Sequence, residues 1–230
     1  MRCELSEENL TVAMITRNEE QAIVKVIQDI RNVVPHAEIL VVDSSQDQTA
    51  QLAEKSGARV IKQYPPEGYG PAMYKALTSA TGHVIVTLDC DNTYPAEKIP
   101  ELAYSILKDN YDLVDASRLK NKPAAMPWIN YLGNIGFAAV ASLLFQRKIT
   151  DLHSGMRAYR KTMIHTLRWR AKGAAFPVEL LLQPIQKNYK VKVIFIDYKE
   201  RIGNSTLQPL QSAWWTWKRI WQTRFARNTQ

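Results

Sequence analysis

Apolar residues in the first half of the chain fall in short blocks that alternate with stretches patterned for a helix. LTVAMIT (10–16), AEILVVD (37–43), ARVIKQ (58–63) and HVIVTLD (83–89) are rich in Val, Ile and Leu, with little polar alternation. Between them, Glu19 to Val34, DQTAQLAEKSG (47–57) and PAMYKALTSATG (71–82) read as amphipathic helices. Near-continuous apolar strands have both faces covered, and helices between successive strands make those strands parallel. The pattern predicts an α/β fold: a Rossmann-like, mostly parallel sheet flanked by helices.

The second half is less regular. YDLVDASR (111–118) predicts a strand leading to a polar loop, 131–147 a helix, and TDLHSGMRAYRK (150–161) a loop. A helix near 177–188, a strand VKVIFIDYKE (191–200), a loop RIGNSTL (201–207) and a terminal helix SAWWTWKRIWQTRFARN (212–228) follow. With no internal repeat and no low-complexity linker, the expectation is one domain over 1–207, carrying a basic, Trp-rich helical tail at 208–230.

Ligands of such sheets bind beyond the carboxyl ends of the strands. TRNEE, DSSQDQT and DCDN follow the first, second and fourth blocks, so Glu19, Asp43, Asp89 and Asp91 should meet in one crevice. Asp43 stands where a dinucleotide-binding fold holds a ribose hydroxyl, yet the glycine-rich turn that such a fold needs is absent after the first strand, as is a GxxxxGK[ST] loop. A bound diphosphate would need another counter-charge. Asp89 and Asp91, i and i+2 of an extended segment, share a face and can hold one hard cation, Mg²⁺ or Mn²⁺. A calcium loop is excluded, because Tyr94 and Pro100 occupy its glycine and bidentate-Glu positions. Ordinary turn chemistry, with Asp and Asn capping a helix that starts near Pro95, is the competing reading of the same residues.

Composition narrows the partners. Thirty Lys and Arg against 22 Asp and Glu give a formal charge of +8, which favours phosphates, nucleic acid or an acidic membrane surface. Only Cys3 and Cys90 occur, so no disulfide framework or zinc spacing exists and a reducing compartment is expected. The polar N-terminus lacks a signal-peptide core, and the run IGFAAVASLLF (135–145) is too short to span a bilayer, so neither secretion nor a transmembrane helix is expected. That run is either a core helix or a lipid-facing one. In the tail, Trp214, Trp215, Trp217 and Trp221 stand among Lys218, Arg219, Arg224 and Arg227. Either the helix meets a membrane interface, or the tryptophans pack on the domain and only the cations face water.

ITRNEE, VVDSSQDQT, GYGPAMYKALTSATG, TLDCDNTYP, SR (117–118), TDLHSGMRAYRK and RIGNSTL together, in this order, resemble family 2 glycosyltransferases of GT-A fold. The likeness is strongest to the dolichol-phosphate mannose synthase and polyprenyl-phosphate glycosyltransferase branch, over roughly residues 9–207. It implies an inverting, metal-dependent hexosyltransferase that moves a sugar from a nucleoside-diphosphate sugar to a polyprenyl phosphate. Ile15, Arg17, Glu19, Asp43, Asp89, Cys90, Asp91 and Arg201 would bind the nucleotide sugar, and Asp89 and Asp91 the Mg²⁺ or Mn²⁺. Arg118, Ser154 and Arg157 would bind the acceptor phosphate, with catalytic roles for Asp91, Asp151 and Arg201. The enzyme would be cytoplasmic, peripheral on the cytosolic face of a membrane.

The chain departs from that pattern at Arg17 (often Tyr), Met156 (usually Phe), Thr206 (usually Lys) and in MPWINYLGN (126–134), which lacks a frequent arginine. These departures bear on the acceptor more than on the donor. A saccharide or glycolipid hydroxyl acceptor would require a base, for which Asp151 is the candidate; with a lipid phosphate, Asp151 would instead orient Arg157 or backbone amides. His153 reads as a loop residue, without the surroundings of a nucleophile. A non-catalytic module binding nucleotide sugar or nucleic acid is the rival outside enzymology, and with no RNA-binding motif no nucleic acid is expected.

Overall fold

The computed structural model describes residues 9–203 and 209–225. Cys3, Ser205, Thr206 and Arg227 lie outside the described residues.

In chain order the elements are β1 (Leu10–Thr16), α1 (Ile23–Val33), β2 (Glu38–Asp43), α2 (Thr49–Lys55), β3 (Arg59–Lys62), α3 (Tyr69–Ser79), β4 (Val84–Thr87) and α4 (Ile99–Leu107). Then come β5 (Leu113–Ser117), α5 (Trp128–Phe145), β6 (Arg157–Arg160), α6 (Lys161–Thr166), α7 (Phe176–Gln186), β7 (Val191–Phe195) and α8 (Pro209–Phe225). They build a seven-stranded sheet ordered β3-β2-β1-β4-β6-β5-β7. Every pairing is parallel except those of β6, which runs antiparallel to both β4 and β5. The mostly parallel α/β sheet is as the hydrophobic pattern predicts.

Alternation along each strand feeds a core on both faces of the sheet. Val12, Met14, Val41 and Val86 join α1 and α4 on one side, while Ala13, Leu40, Val42 and Ile85 join α3 and α7 on the other. α1 buries Ile23, Val26, Ile27 and Ile30, the i, i+3, i+4, i+7 stripe of an amphipathic helix. Register then fixes the site: Thr16 pairs with Asp43, so the polar ends of β1 and β2 lie side by side.

Three expectations need correction. The loop read at 150–161 contains β6 and leads into α6. β6 is RAYR, and its Arg157 is buried because it is paired with Asp115, a partnership that hydropathy does not register. The strand read to residue 200 stops at Phe195, after which Ile196 N–H bonds Ser117 O (3.0 Å) and Lys199 N–H bonds Thr93 O (2.9 Å) as the chain crosses to the loop after β4. The apolar run at 135–145 sits in an 18-residue helix, because Trp128, Ile129, Tyr131 and Leu132 extend it towards Pro127. By length and composition that helix is long and apolar enough to cross a membrane, with a mean hydropathy of 1.4 and 11% of it buried.

Candidate active site

The loops after β1 and β2 are knitted into one rim. Asn18 adopts a left-handed conformation (φ 58°), which turns its N–H to Ser45 Oγ (2.7 Å) and its Oδ1 to Gln46 N–H (3.0 Å). Glu19 N–H donates to Thr49 Oγ1 (2.9 Å). Asp43 is buried, and its Oδ1 accepts from Thr16 Oγ1 (2.7 Å) and Ser45 Oγ (2.6 Å). Beside this rim opens a cleft of about 660 Å³ lined by Arg17, Asn18, Glu19, Glu20, Gln46, Asp47 and Gly203 among others, a size suited to a small organic ligand. Ile15 stays half-buried against the core beneath it.

The DCDN loop follows β4. Cys90 packs into the core, while Asp89 and Asp91 on either side of it lie close enough for each charge to act on the other and for Arg201 to act on both. Burial pushes the Cys90 thiol well up, so it has no nucleophilic character. Asp91 makes both proposed kinds of contact. Its Oδ1 accepts from Thr93 N–H (3.1 Å) across a left-handed Asn92 (φ 67°), a side-chain-capped turn, while its Oδ2 accepts from Arg201 Nη1 (2.9 Å). The turn and the site are therefore one structure.

Asp89 has a different environment. Among the described residues no donor hydrogen-bonds its carboxylate, and burial, followed by the neighbouring Asp91 charge, pushes its pKa up to about 6 against the pull of Arg118 and Arg201. Backbone closes in behind it: a Cβ at Gly155 would lie 2.5 Å from Asp89 Oδ2. Gly155 N–H is held by Tyr94 Oη at 2.7 Å. Among the described residues no three His, Cys, Asp or Glu side chains cluster as a self-sufficient metal cage. Two carboxylates, one of them short of a partner, fit a hard cation that completes its shell with phosphate and water, and they do not fit zinc.

Arg201 is the counter-charge present. Nη1 bonds Asp91 and Nη2 bonds Glu19 Oε1 at 2.6 Å, joining residues far apart in sequence. The backbone of its segment is strapped to the DCDN loop, with Ile202 N–H on Asp91 O at 2.9 Å. Glu19 nevertheless has its pKa pushed up to about 7, chiefly by burial; Arg201 opposes this, and Asp91, Asp89 and Asp47 add to it.

On the far side of the DCDN loop the charges are closed pairs. Arg118, just past β5, grips Asp151 with Nε (2.7 Å to Oδ2) and Nη2 (3.0 Å to Oδ1), and Asp151 also accepts the N–H groups of Arg118 (3.2 Å) and His153 (3.0 Å). Asp151 is wholly buried; burial alone would raise its pKa, and Arg118 outweighs that and holds it down to about 2. Its side chain orients Arg118, not Arg157. The Arg118 guanidinium lies over the Tyr198 ring (5.2 Å), and Tyr198 meets Tyr94 edge-on (5.6 Å). Ser154 and Arg157 are not brought to the cleft. Ser154 Oγ donates to Ala116 O (2.6 Å), and Arg157, 1% exposed, spends its nitrogens on Asp115 (2.6 Å), Pro177 O and Leu152 O (3.1 Å). Both hold the β5–β6 scaffold. Tyr94, Tyr198 and Gly155 are the site residues that charge-based reading misses, and the only trace of them in the sequence is the aromatic and glycine positions next to the acidic motifs.

The Glycosyl transferase family 2 model matches residues 11–168. The chain belongs to this family. The glycosyltransferase is 40% identical to the dolichyl-phosphate hexose transferase of Haloferax volcanii over 207 residues, 90% of each chain. It is 29% identical to the low-salt glycan biosynthesis hexosyltransferase Agl6 of the same organism, covering 89% of this chain and 51% of that one. In fold it is similar to glucosyl-3-phosphoglycerate synthase from Mycobacterium tuberculosis, crystallised with Mn²⁺, UDP and phosphoglyceric acid, at TM-score 0.77 and 20% identity, covering 97% of this chain and 82% of that one. The GT-A fold and the resemblance to the polyprenyl-phosphate branch both stand.

The tail of the glycosyltransferase reverses one expected arrangement. α8 is seated on α7 and α5 through buried Thr216, Arg219, Ile220 and Thr223. The cation Arg219 points inward, paired with Glu179 and donating to Arg170 O (2.7 Å) and Lys172 O (2.6 Å). The tryptophans face outward: Trp214 is 64% exposed, and Trp217, Trp221 and Phe225 form an exposed aromatic row. Arg224 Nε reaches Leu144 O (2.9 Å) and ties α8 to α5, whose Trp128, Ile129, Leu132 and Leu143 are also exposed.

Proposed function

We propose that this glycosyltransferase transfers a hexose from a nucleoside-diphosphate sugar to a polyprenyl phosphate, on the cytosolic face of a membrane. The observation that carries the reading is the Arg118–Asp151 pair. A hydroxyl acceptor must lose a proton to a base, and Asp151, the candidate for that task, is wholly buried with both carboxylate oxygens gripped by Arg118. A phosphate monoester is already ionised and asks only for a positioned cation, which Arg118 is. The likeness to a dolichyl-phosphate hexose transferase supports the same acceptor class.

Each residue then has a stated task. Asp43, at the end of β2 and bonded to Thr16 and Ser45 of the rim, takes the ribose, and Arg17 and Glu19 border the nucleoside. Asp89 and Asp91 would hold Mg²⁺ or Mn²⁺, which when bound neutralises charge growing on the leaving diphosphate. Arg201 adds a fixed positive charge at the same place, exchanging Glu19 and Asp91 for phosphate oxygens. Arg118 orients the acceptor phosphate for attack on the anomeric carbon from the face opposite the departing nucleoside diphosphate. The C–O bond to that leaving group breaks as the new phosphate–sugar bond forms, and no side chain need take a proton. The exposed apolar face of α5 and α8, on a chain of charge +8, suits contact with an anionic lipid surface.

The test is transfer of radiolabelled hexose from a panel of nucleoside-diphosphate sugars to dolichyl or undecaprenyl phosphate in anionic vesicles with Mn²⁺. Organic-extractable product is expected. Glycosylation of a hydroxyl acceptor alone would replace this reading.

A further inference from the structure

His153 has no task in this mechanism, yet it touches three parts of the molecule at once. Its N–H bonds Asp151 Oδ1 (3.0 Å), its ring meets Phe137 of α5 edge-on (6.1 Å), and its Nε2 lies 2.8 Å from Thr216 Oγ1 on α8. Thr216 is 2% exposed and, with Ile220, belongs to the buried stripe that seats the tail helix. Nδ1 is buried without a hydrogen-bond partner, so the Thr216 hydroxyl is the only polar contact of the ring among the described residues. Burial pushes the imidazole down to about 4, with Arg118 and Arg157 adding to this against Asp151, so the ring is neutral at physiological pH.

We infer that His153 is a positioning residue: through its bond to Thr216 it sets the Arg118–Asp151 pair according to how α8 is seated. The path is short. Moving α8 moves the ring, the ring carries its own backbone N–H, and that N–H is one of the donors that fix the Asp151 carboxylate gripping Arg118. The donor cleft is lined by none of these residues. The tail would then do more than attach the enzyme to a surface: its docking would tune capture of the acceptor phosphate. This rests on the lipid-phosphate reading above.

Thr216→Val removes the hydroxyl and keeps the shape, so it tests the link without the folding risk of replacing His153. Its KM for polyprenyl phosphate should rise by roughly twofold to tenfold, the range set by one neutral hydrogen bond, with kcat and the donor KM unchanged. Thr216→Ser, which restores a hydroxyl, should return the KM to the wild-type value. In parallel, hydrogen exchange across residues 151–155 should quicken in Thr216→Val and recover in Thr216→Ser. Unchanged acceptor KM and exchange in Thr216→Val would overturn the inference, as would an equal rise in both KM values, which marks a general structural effect. A wild-type enzyme that glycosylates no polyprenyl phosphate overturns the functional reading alone, and the exchange measurement then decides the coupling.

Discussion

The proposed donor and acceptor sides of this site are built from the same residue types and partner them in opposite ways. On the donor side one arginine, Arg201, serves both Glu19 and Asp91, Asp89 has no hydrogen-bond donor among the described residues, and burial raises Glu19 and Asp89 to about 7 and about 6. On the acceptor side, Asp115 and Asp151 are fully buried and each has its own arginine, although burial still pushes Asp115 up to about 6. A carboxylate short of a partner is a place for a cation or a ligand; one already paired is a fixed part of the frame. The difference divides the molecule into a half that responds to ligands and a half that holds its shape.

The strongest way to break that comparison is to cut a closed pair. Arg157→Met leaves Asp115 buried without its cation, so folding should lose about 3–5 kcal/mol, read by denaturant unfolding. Glu19→Gln on the donor side should leave the unfolding midpoint within error or raise it slightly, because it removes an uncomfortable charge. Equal losses from both variants would erase the distinction. Next in size, Asp91→Asn should lower kcat by about a hundredfold to a thousandfold while the melting temperature holds, since the charge acts on the leaving group and Asn retains the turn to Thr93. A fall in melting temperature matching the loss of turnover would move Asp91 into the frame.

The smallest effect sharpens the comparison through pH. A bound cation needs Asp89 ionised, and its carboxyl protonates as pH falls through about 6. Thermal stabilisation by Mn²⁺ with UDP should therefore be larger at pH 8 than at pH 5.5. Asp151, held near 2, stays ionised throughout, and the stability it contributes is lost only as pH falls from its unfolded value of about 4 towards 2. Stabilisation independent of pH over that range would place the cation elsewhere.

The frame was legible because parallel strands declare themselves as apolar blocks, and the acids after β1, β2 and β4 sit where topology sends ligands. What stayed hidden depends on pairing. β6 passed for a loop because Arg157 counts as polar in any hydropathy reading, although Asp115 makes it a core residue. Ser154 and Arg157, which the resemblance implies for the acceptor, have their polar atoms engaged by Ala116, Asp115, Pro177 and Leu152: a motif fixes which residues are near the site, while burial decides which of them face it. Of the two arrangements open for the tail, the one with outward cations and inward tryptophans fails for a related reason. Arg219 is inside because Glu179 and two carbonyl groups receive it, and the tryptophans are outside because α8 needs only Thr216, Ile220 and Thr223 to seat.

The strap that carries Arg201 bears on the tempo of turnover. Because Lys199 and Ile202 are bonded to Thr93 and Asp91, the backbone beside Arg201 is already in place before any donor arrives. Trading Glu19 and Asp91 for a diphosphate is then a side-chain rotation, on the order of picoseconds to nanoseconds, and not a loop journey of microseconds or longer. In the role proposed for it, Arg201 is pre-organised beside the leaving diphosphate.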